Sequence, residues 1–322
     1  MSKTILNLQM FAGNPNTNTT ATLSNEMKTY YSDYIVDYAA PNLVHDQFGQ
    51  KQNIPEGGGN TIHFRKFSPL PKITSGLAEG VTPDGGSMNV SKATATLSQY
   101  GYYLTLSDVL SLTSIDNTLL EATALLGKQA GQALDNITRE VINGGTNVIF
   151  AGDAEVRDLI SQDDIIKVDD IYKAARFLKN QNAPKIDGGY VAIIHPDVAY
   201  DLMRDPEWID SHKYSATTEL FEGEIGKIAG IRFVETTEAK IFHGNSCNIY
   251  STLVLGANAY GVTELTGGGL QTIIKQLGSG GAADPLNQRA TCGWKALKTA
   301  VRLVENYLVR IESASTFNSM PN

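Results

Sequence analysis

The sequence predicts an α+β protein of outstretched shape, and three patterns support this fold class. Residues 49–106 have the pattern of a long two-stranded β ribbon, and residues 116–142 have that of one long amphipathic helix. Helix and strand patterns then alternate between about residues 165 and 270. Because the ribbon and the long helix precede this alternating part, the chain is not a uniform series of βα units.

The composition is that of a folded protein with an acidic surface. Hydrophobic residues make up 42% of the 322 residues and charged residues 19%. Lys and Arg number 26 against 34 Asp and Glu, which gives a net charge of −8. Such a surface repels phosphate, so the composition disfavours tight binding to duplex nucleic acid.

Two features predict that the protein is made and used in a cytoplasm. Cys247 and Cys292 are too few for a disulfide scaffold and fit a reducing compartment. The apolar stretch 5–12 contains Asn7 and Gln9 and makes a poor signal peptide. No run approaches the roughly 20 apolar residues of a membrane span, so we expect no membrane partner.

The first 48 residues are predicted to form an N-terminal arm and a helix. Residues 13–25 are rich in Asn and Thr and offer almost nothing apolar to bury, which predicts a mobile arm. Apolar and aromatic residues recur at helical spacing from Glu26 to Phe48, and Pro41 is expected to bend or interrupt this helix.

The ribbon is predicted to have one strand over 61–67 and a second over 90–106, with a Pro- and Gly-rich tract between them. An isolated ribbon is only marginally stable in water, so it should lie on this chain's own body or on a neighbouring copy. Its candidate contacts with other subunits are Ile62, Phe64, Arg65, Lys66, Lys72 and Lys92. For the cations, salt bridges between subunits are favoured over nucleic-acid contact, because the aromatic residues of a single-strand binder are sparse here.

The strongest helix pattern begins at Asp116 and stops at the Gly pair 144–145. At ~1.5 Å per residue it spans close to 40 Å, longer than a compact domain of this size needs. Further along, the pattern predicts helices over 168–181 and 196–204 and strands over 190–195, 231–236 and 248–255. A single closing strand over 301–312 is expected to return beside the long helix.

No chemical motif stands out, and we assign no catalytic, cofactor-binding or metal-binding residue. The five histidines are scattered, and no glycine cluster has a phosphate-binding spacing. The tripeptide His195-Pro196-Asp197 follows a buried strand, where α/β enzymes place catalytic groups. We favour a helix-capping role for it; the alternative is a small-molecule α/β enzyme with a pocket near His195.

Several segments resemble a known family in order along nearly the whole chain. They are residues 7–12 (NLQMFA), 223–234 (GEIGKIAGIRFV), 284–289 (DPLNQR), 293–295 (GWK) and 309–312 (VRIE). Together they resemble the major capsid proteins of tailed bacteriophages, in the phage N-four-type branch of the Hong Kong ninety-seven capsid fold.

The resemblance implies four regions: an N-terminal arm at 1–48, an extended loop at 49–106, a peripheral domain at 107–160 and 283–322, and an axial domain at 161–282. It also implies hexamers and pentamers of an icosahedral shell around double-stranded DNA, without a cofactor. The expected partners are further copies of the chain, a portal and possible decoration proteins, and a separate scaffolding protein, since the arm is too short to contain one. An encapsulin-like compartment shell is the alternative.

Overall fold

The computed structural model describes residues 43–53, 60–67, 70, 74, 76, 80, 85–113, 118–152, 154–212, 226–244, 247–263, 270–279 and 284–317. The predicted arm and most of the helix that follows it fall before residue 43 and so lie outside the described residues. Residues 44–48, the predicted end of that helix, form turns and not a helix. Lys72 lies outside them as well.

Helices and strands are mixed in the described part, as an α+β fold requires. The helices are α1 Asp108–Thr113, α2 Thr118–Asn143, α3 Val168–Asn180, α4 Pro196–Met203 and α5 Pro206–His212. The strands are β1 Gln50–Gln52, β2 Thr61–Phe67, β3 Val90–Thr96, β4 Ser98–Ser107, β5 Val148–Phe150, β6 Tyr190–Ile194, β7 Lys227–Ile228, β8 Ile231–Glu235, β9 Ile241–His243, β10 Asn248–Leu255, β11 Tyr260–Thr263, β12 Leu270–Lys275, β13 Arg289–Lys298, β14 Ala300–Arg302 and β15 Leu308–Ser313. None of these helices combines the length and the apolar composition that crossing a bilayer requires.

The long helix is confirmed, because α2 runs for 26 residues over Thr118–Asn143. Its buried face contains Leu126, Ala130 and Leu134, which pack against a three-stranded sheet of order β12-β13-β4. Alanine at the centre of this contact lets the helix backbone come close to the sheet.

The prediction of one strand over 90–106 is wrong, because the chain forms two strands there that belong to different sheets. All seven residues of β3 pair with β2, and this pairing ends at Thr61 opposite Thr96. Beyond Thr96 there is no β2 residue left to pair with. Leu97 turns into the core, and β4 then pairs with β13 over Ser98–Ser107.

The hairpin of β2 and β3 lies on the chain's own body. Ile62 and Phe64 are buried together with Ala95 and Leu97, and Val301 and Leu303 pack against them. The ring of Phe64 lies on the backbone of Gly261, where a Cβ atom would come within 2.4 Å of a ring carbon. The ribbon was expected to lie either on this chain's own body or on a neighbouring copy. In this structure the apolar side of the hairpin lies on the chain's own body.

The α/β part is built on a seven-stranded sheet with the path β5-β15-β10-β6-β8-β7, and β9 pairs with an end of β10. Every residue of β6 and of β15 is buried, because apolar clusters cover both faces of the sheet. Helices α3 and α4 cover one face through Ile171, Ala175 and Leu202.

The single closing strand predicted over 301–312 is also wrong. Its beginning is β14, which pairs with β11, and its end is β15, which lies between β10 and β5. The chain bends between them because Leu303 and Val304 both donate their backbone N–H to the Ala259 carbonyl. The Glu305 carboxylate then accepts the backbone N–H of Thr146 at 2.5 Å.

Strand pairing links the regions that the resemblance implies. Strands β5 and β15 were assigned to the peripheral domain, yet they belong to the sheet of the axial region. Likewise β12, assigned to the axial domain, pairs with β13. The fourfold division of the chain stays a prediction.

Candidate assembly surface

The hairpin of β2 and β3 has two chemically different faces, because side chains alternate along a strand. Ile62 and Phe64 face the body, whereas the opposite side faces solvent. We call this opposite side the outer ribbon face, and it consists of the exposed residues His63, Arg65, Val90, Lys92 and Thr94.

Two cations stand directly opposite one another on the outer ribbon face. Arg65 pairs with Lys92 in the strand register, and His63 pairs with Thr94 with 3.1 Å between Nδ1 and Oγ1. Like charges directly opposite in a sheet repel each other. Within the described residues, neither Arg65 nor Lys92 makes an ion pair that would relieve this repulsion.

The six residues that the sequence offered as subunit contacts are therefore in different situations. Ile62 and Phe64 are buried inside this chain, whereas Arg65 and Lys92 are exposed together. The backbone of Lys66 lies in β2, but its side chain falls outside the described part, as does Lys72. Whether any of the six contacts another subunit stays a prediction.

A second exposed surface, which the sequence analysis missed, is the face of the β12-β13-β4 sheet that points away from α2. Gly293 lies in register between Ile273 and Tyr103, both of which are exposed. A groove of about 750 Å³ lies on this face and is lined by Gly293, Lys275 and Lys295 among others. The signal that could have found it is a glycine at an outward position of an otherwise regular strand.

The residues that carried the family resemblance have structural roles beside this groove. The Asp284 carboxylate accepts the backbone N–H groups of Gln288 and Arg289 at 3.1 and 2.8 Å, which holds the turn before β13. The Trp294 indole donates to Gln129 of α2 at 2.7 Å. The first contact shapes the turn, and the second attaches the sheet to α2.

A buried polar network attaches residues 45–46, near the end of the region predicted as the arm, to the long helix. The Lys298 ammonium pairs with the Asp46 carboxylate, which also accepts the Thr138 hydroxyl at 2.5 Å. Asp135 accepts the backbone N–H of His45 at 2.7 Å and contacts its ring nitrogen Nδ1 at 2.6 Å. We call these five residues the root network, since they fix residues 45–46 onto α2 and β13.

Tyr260 closes the root network. Its hydroxyl donates to the His45 carbonyl. Burial raises the pKa of Tyr260 well above its usual value, and the nearby carboxylates of Asp46 and Asp135 add to the rise. Tyr260 therefore stays a neutral hydrogen-bond donor.

His195 lies between β6 and α4 and caps the N-terminus of α4. Pro196 begins α4, and His195 Nδ1 accepts the backbone N–H of Asp197 at 3.2 Å. Burial lowers the pKa of His195, and Asp197 opposes this only in part, so the ring is neutral and can accept that bond. Tyr250 donates to the Asp197 carboxylate at 2.9 Å. The Nδ1 atom of His195 and the carboxylate of Asp197 thus both have structural partners.

The described residues contain no group of three or more His, Cys, Asp or Glu side chains placed to hold a metal ion. The described part also has two extended surfaces, the exposed cationic ribbon face and the sheet face with its groove. Extended surfaces of this kind suit contacts with other macromolecules.

Comparison with known proteins identifies the class. The phage capsid protein family matches residues 91–269, more than half of the chain, and the chain belongs to that family. It is a structural subunit of the virion capsid that assembles with copies of itself, and it is not an enzyme. The chain has no significant match among the curated protein sequences.

Solved structures show that the fold is the Hong Kong ninety-seven type. The capsid of Ralstonia phage GP4 is 14% identical, with 86% of this chain and 90% of that chain covered and a TM-score of 0.67. The cyanophage Pam1 capsid is 12% identical, with 87% and 93% covered and a TM-score of 0.65. The cyanophage P-SCSP1u capsid is 15% identical, with 85% and 88% covered and a TM-score of 0.63.

Proposed function

We propose that copies of this chain form hexamers and pentamers of a closed icosahedral shell that encloses double-stranded DNA. The observation that carries this proposal is the outer ribbon face. Its apposed cations make no ion pair among the described residues, and carboxylates brought by a neighbouring copy would relieve their mutual repulsion.

Large exposed apolar side chains around α2 and its sheet support the same proposal. They are Tyr102, Tyr103, Val109, Leu125, Ile273 and Leu286. Scattered exposed apolar residues are common on monomers, but here several belong to one sheet and its supporting helices. Contacts between subunits would remove this surface from water, as permanent assemblies do.

The net charge of −8 fits a shell that encloses DNA without binding it tightly. Its overall field repels phosphate, so packaged DNA would touch the wall weakly and without sequence preference. A separate scaffolding protein, a portal and decoration proteins belong to the same proposal, with assembly in the cytoplasm of the host bacterium. The family resemblance supports these partners.

An encapsulin-like compartment shell is the second candidate, and the match to the phage capsid family favours the first. DNA-packaging genes next to the coding region would support the phage shell. Genes for a cargo enzyme in that position would support the compartment.

Sedimentation velocity of the purified full-length chain tests the proposal. We expect large closed particles, visible by negative-stain microscopy, at some ionic strength or when the scaffolding protein is added. A compact monomer under all of these conditions would contradict it.

A further inference from the structure

The outer ribbon face lacks a counterpart within the described protomer. Arg65 and Lys92 repel each other across the strands, and the apolar side chains beside them are exposed, Val90 to 46% and Met88 to 68%. A ligand that matches this face must therefore bring both negative charge and apolar surface.

One exposed loop of this same chain has the matching chemistry. We call residues 154–163 the acidic loop, in which Glu155, Asp158 and Asp163 are exposed. Two apolar side chains lie among these carboxylates, Val156 at 51% and Leu159 at 65% exposure. In the described part of the chain, none of the three carboxylates makes an ion pair.

The acidic loop is held in place from below. Its Arg157 points inward and donates to the buried Glu312 carboxylate at 2.6 and 2.7 Å. The Arg157 guanidinium also lies 3.6 Å from the centre of the Phe242 ring, and Ile160 is buried beside it. Because its inward residues are fixed, the loop presents its acids with little further loss of conformational freedom on binding.

We propose that the outer ribbon face of one subunit binds the acidic loop of a second copy of this chain. This inference rests on the proposed function, which supplies the neighbouring copies. The contact joins two different surfaces, and such head-to-tail contacts build rings when the rotation closes. Nucleic acid would match the cations alone and would leave Val90 and Met88 uncovered, so a protein partner fits better.

Charge reversal on both sides of the contact tests the proposal. The first variant is Arg65→Glu/Lys92→Glu and the second is Glu155→Lys/Asp158→Lys. We expect each to lower the yield of particles at least tenfold, measured by sedimentation velocity, while the thermal melting temperature of the protomer changes little. The four substitutions in one chain should restore most of the yield, because opposite charges then meet again.

A matched control reverses two exposed cations elsewhere, Arg176→Glu/Lys185→Glu. It changes the net charge as the first variant does, and we expect it to leave the yield unchanged. The inference is wrong if this control abolishes assembly equally, if either reversed variant still assembles normally, or if the combined chain does not recover. Normal particles that lose only their DNA in the first variant would assign the cations to phosphate instead.

Failure of the unsubstituted chain to form any particle would contradict the proposed function, which is a separate outcome. The contact would then be judged on smaller oligomers by sedimentation equilibrium. If the two charge reversals have non-additive effects on the association constant of these oligomers, the proposed contact is supported. Strictly additive effects would overturn it.

Discussion

Lys298 and Asp46 form an ion pair that has almost no contact with water, and their energetics depend on both partners being present. Removing one partner leaves a buried charge uncompensated, which typically costs about 3–5 kcal/mol. Replacing both by apolar side chains removes the cost of burying charge and is often nearly neutral.

We therefore predict that Lys298→Met destabilises the protomer by about 3–5 kcal/mol. The double variant Asp46→Leu/Lys298→Met should lose far less, apart from the Thr138 hydroxyl that loses its acceptor. Urea unfolding of both variants measures the difference. Equal losses in the two variants would show that Asp46 gains nothing from the ammonium group.

His195 gives the protomer a dependence on pH whose sign follows from its lowered pKa. Its folded pKa lies below the usual value of 6.5, so the unfolded chain binds the proton more readily. The contribution of His195 to the stability of the folded protomer is complete above about pH 6.5. This contribution is lost as the pH falls toward the folded pKa.

We predict that His195→Asn weakens this loss of stability between pH 7 and pH 5. Asparagine also accepts a hydrogen bond at a helix N-terminus, so the cap on Asp197 is retained. Melting temperatures across this range measure the effect. An unchanged pH profile would mean that the pKa of His195 is the same in the folded and the unfolded chain.

Residue by residue, the sequence predicted the apolar side of the ribbon better than the root network. Ile62 and Phe64 alternate with polar residues, and this local pattern is enough to place them on one face. Asp46 and Lys298 are 252 positions apart, so no local pattern connects them. The available signal was the polar pair Asp135 and Thr138 within the buried face of the long helix.

At the scale of elements, the packing of the β2–β3 hairpin against the body of the protein depends on Gly261. A Cβ atom there would come within 2.4 to 2.8 Å of three carbons of the Phe64 ring, closer than real contacts allow. The ring belongs to the hairpin, so the whole hairpin would have to move.

We predict that Gly261→Ala increases hydrogen exchange across β2 and β3 while leaving α3 and β6 protected. Gly85→Ala is the matched control, because a Cβ atom there meets nothing within 4 Å. Equal protection in both variants would contradict the contact between Phe64 and Gly261.

A further prediction separates stability from assembly. Arg65→Glu places opposite charges across the strands, so it should raise the melting temperature of the protomer slightly. The same change should weaken particle formation, since the outer ribbon face loses a cation. Thermal melts and particle yields measured side by side check this, and a fall in both would indicate a role in folding alone.

Among the elements, α2 was predicted within a few residues because its periodicity is local and long. The strands over 90–106 and 301–312 were each predicted as one, and each is two. Strand pairing is decided by which partner is available, as when β2 ends at Thr61, and a local pattern does not contain that information.

At the scale of the whole molecule, exposed cations, a grooved sheet face and a preorganised acidic loop lie on one protomer. In the proposed shell, neighbouring copies cover these surfaces, and that burial adds to the stability of the subunit. The match to the phage capsid family supports assembly from copies of the chain.

A cryo-electron microscopy reconstruction of particles from the full-length chain, resolved at the ribbon, tests this account most directly. It predicts a closed shell in which the side chains of Arg65 and Lys92 contact carboxylates of a neighbouring subunit. A closed shell in which the outer ribbon face is bare to solvent would contradict it.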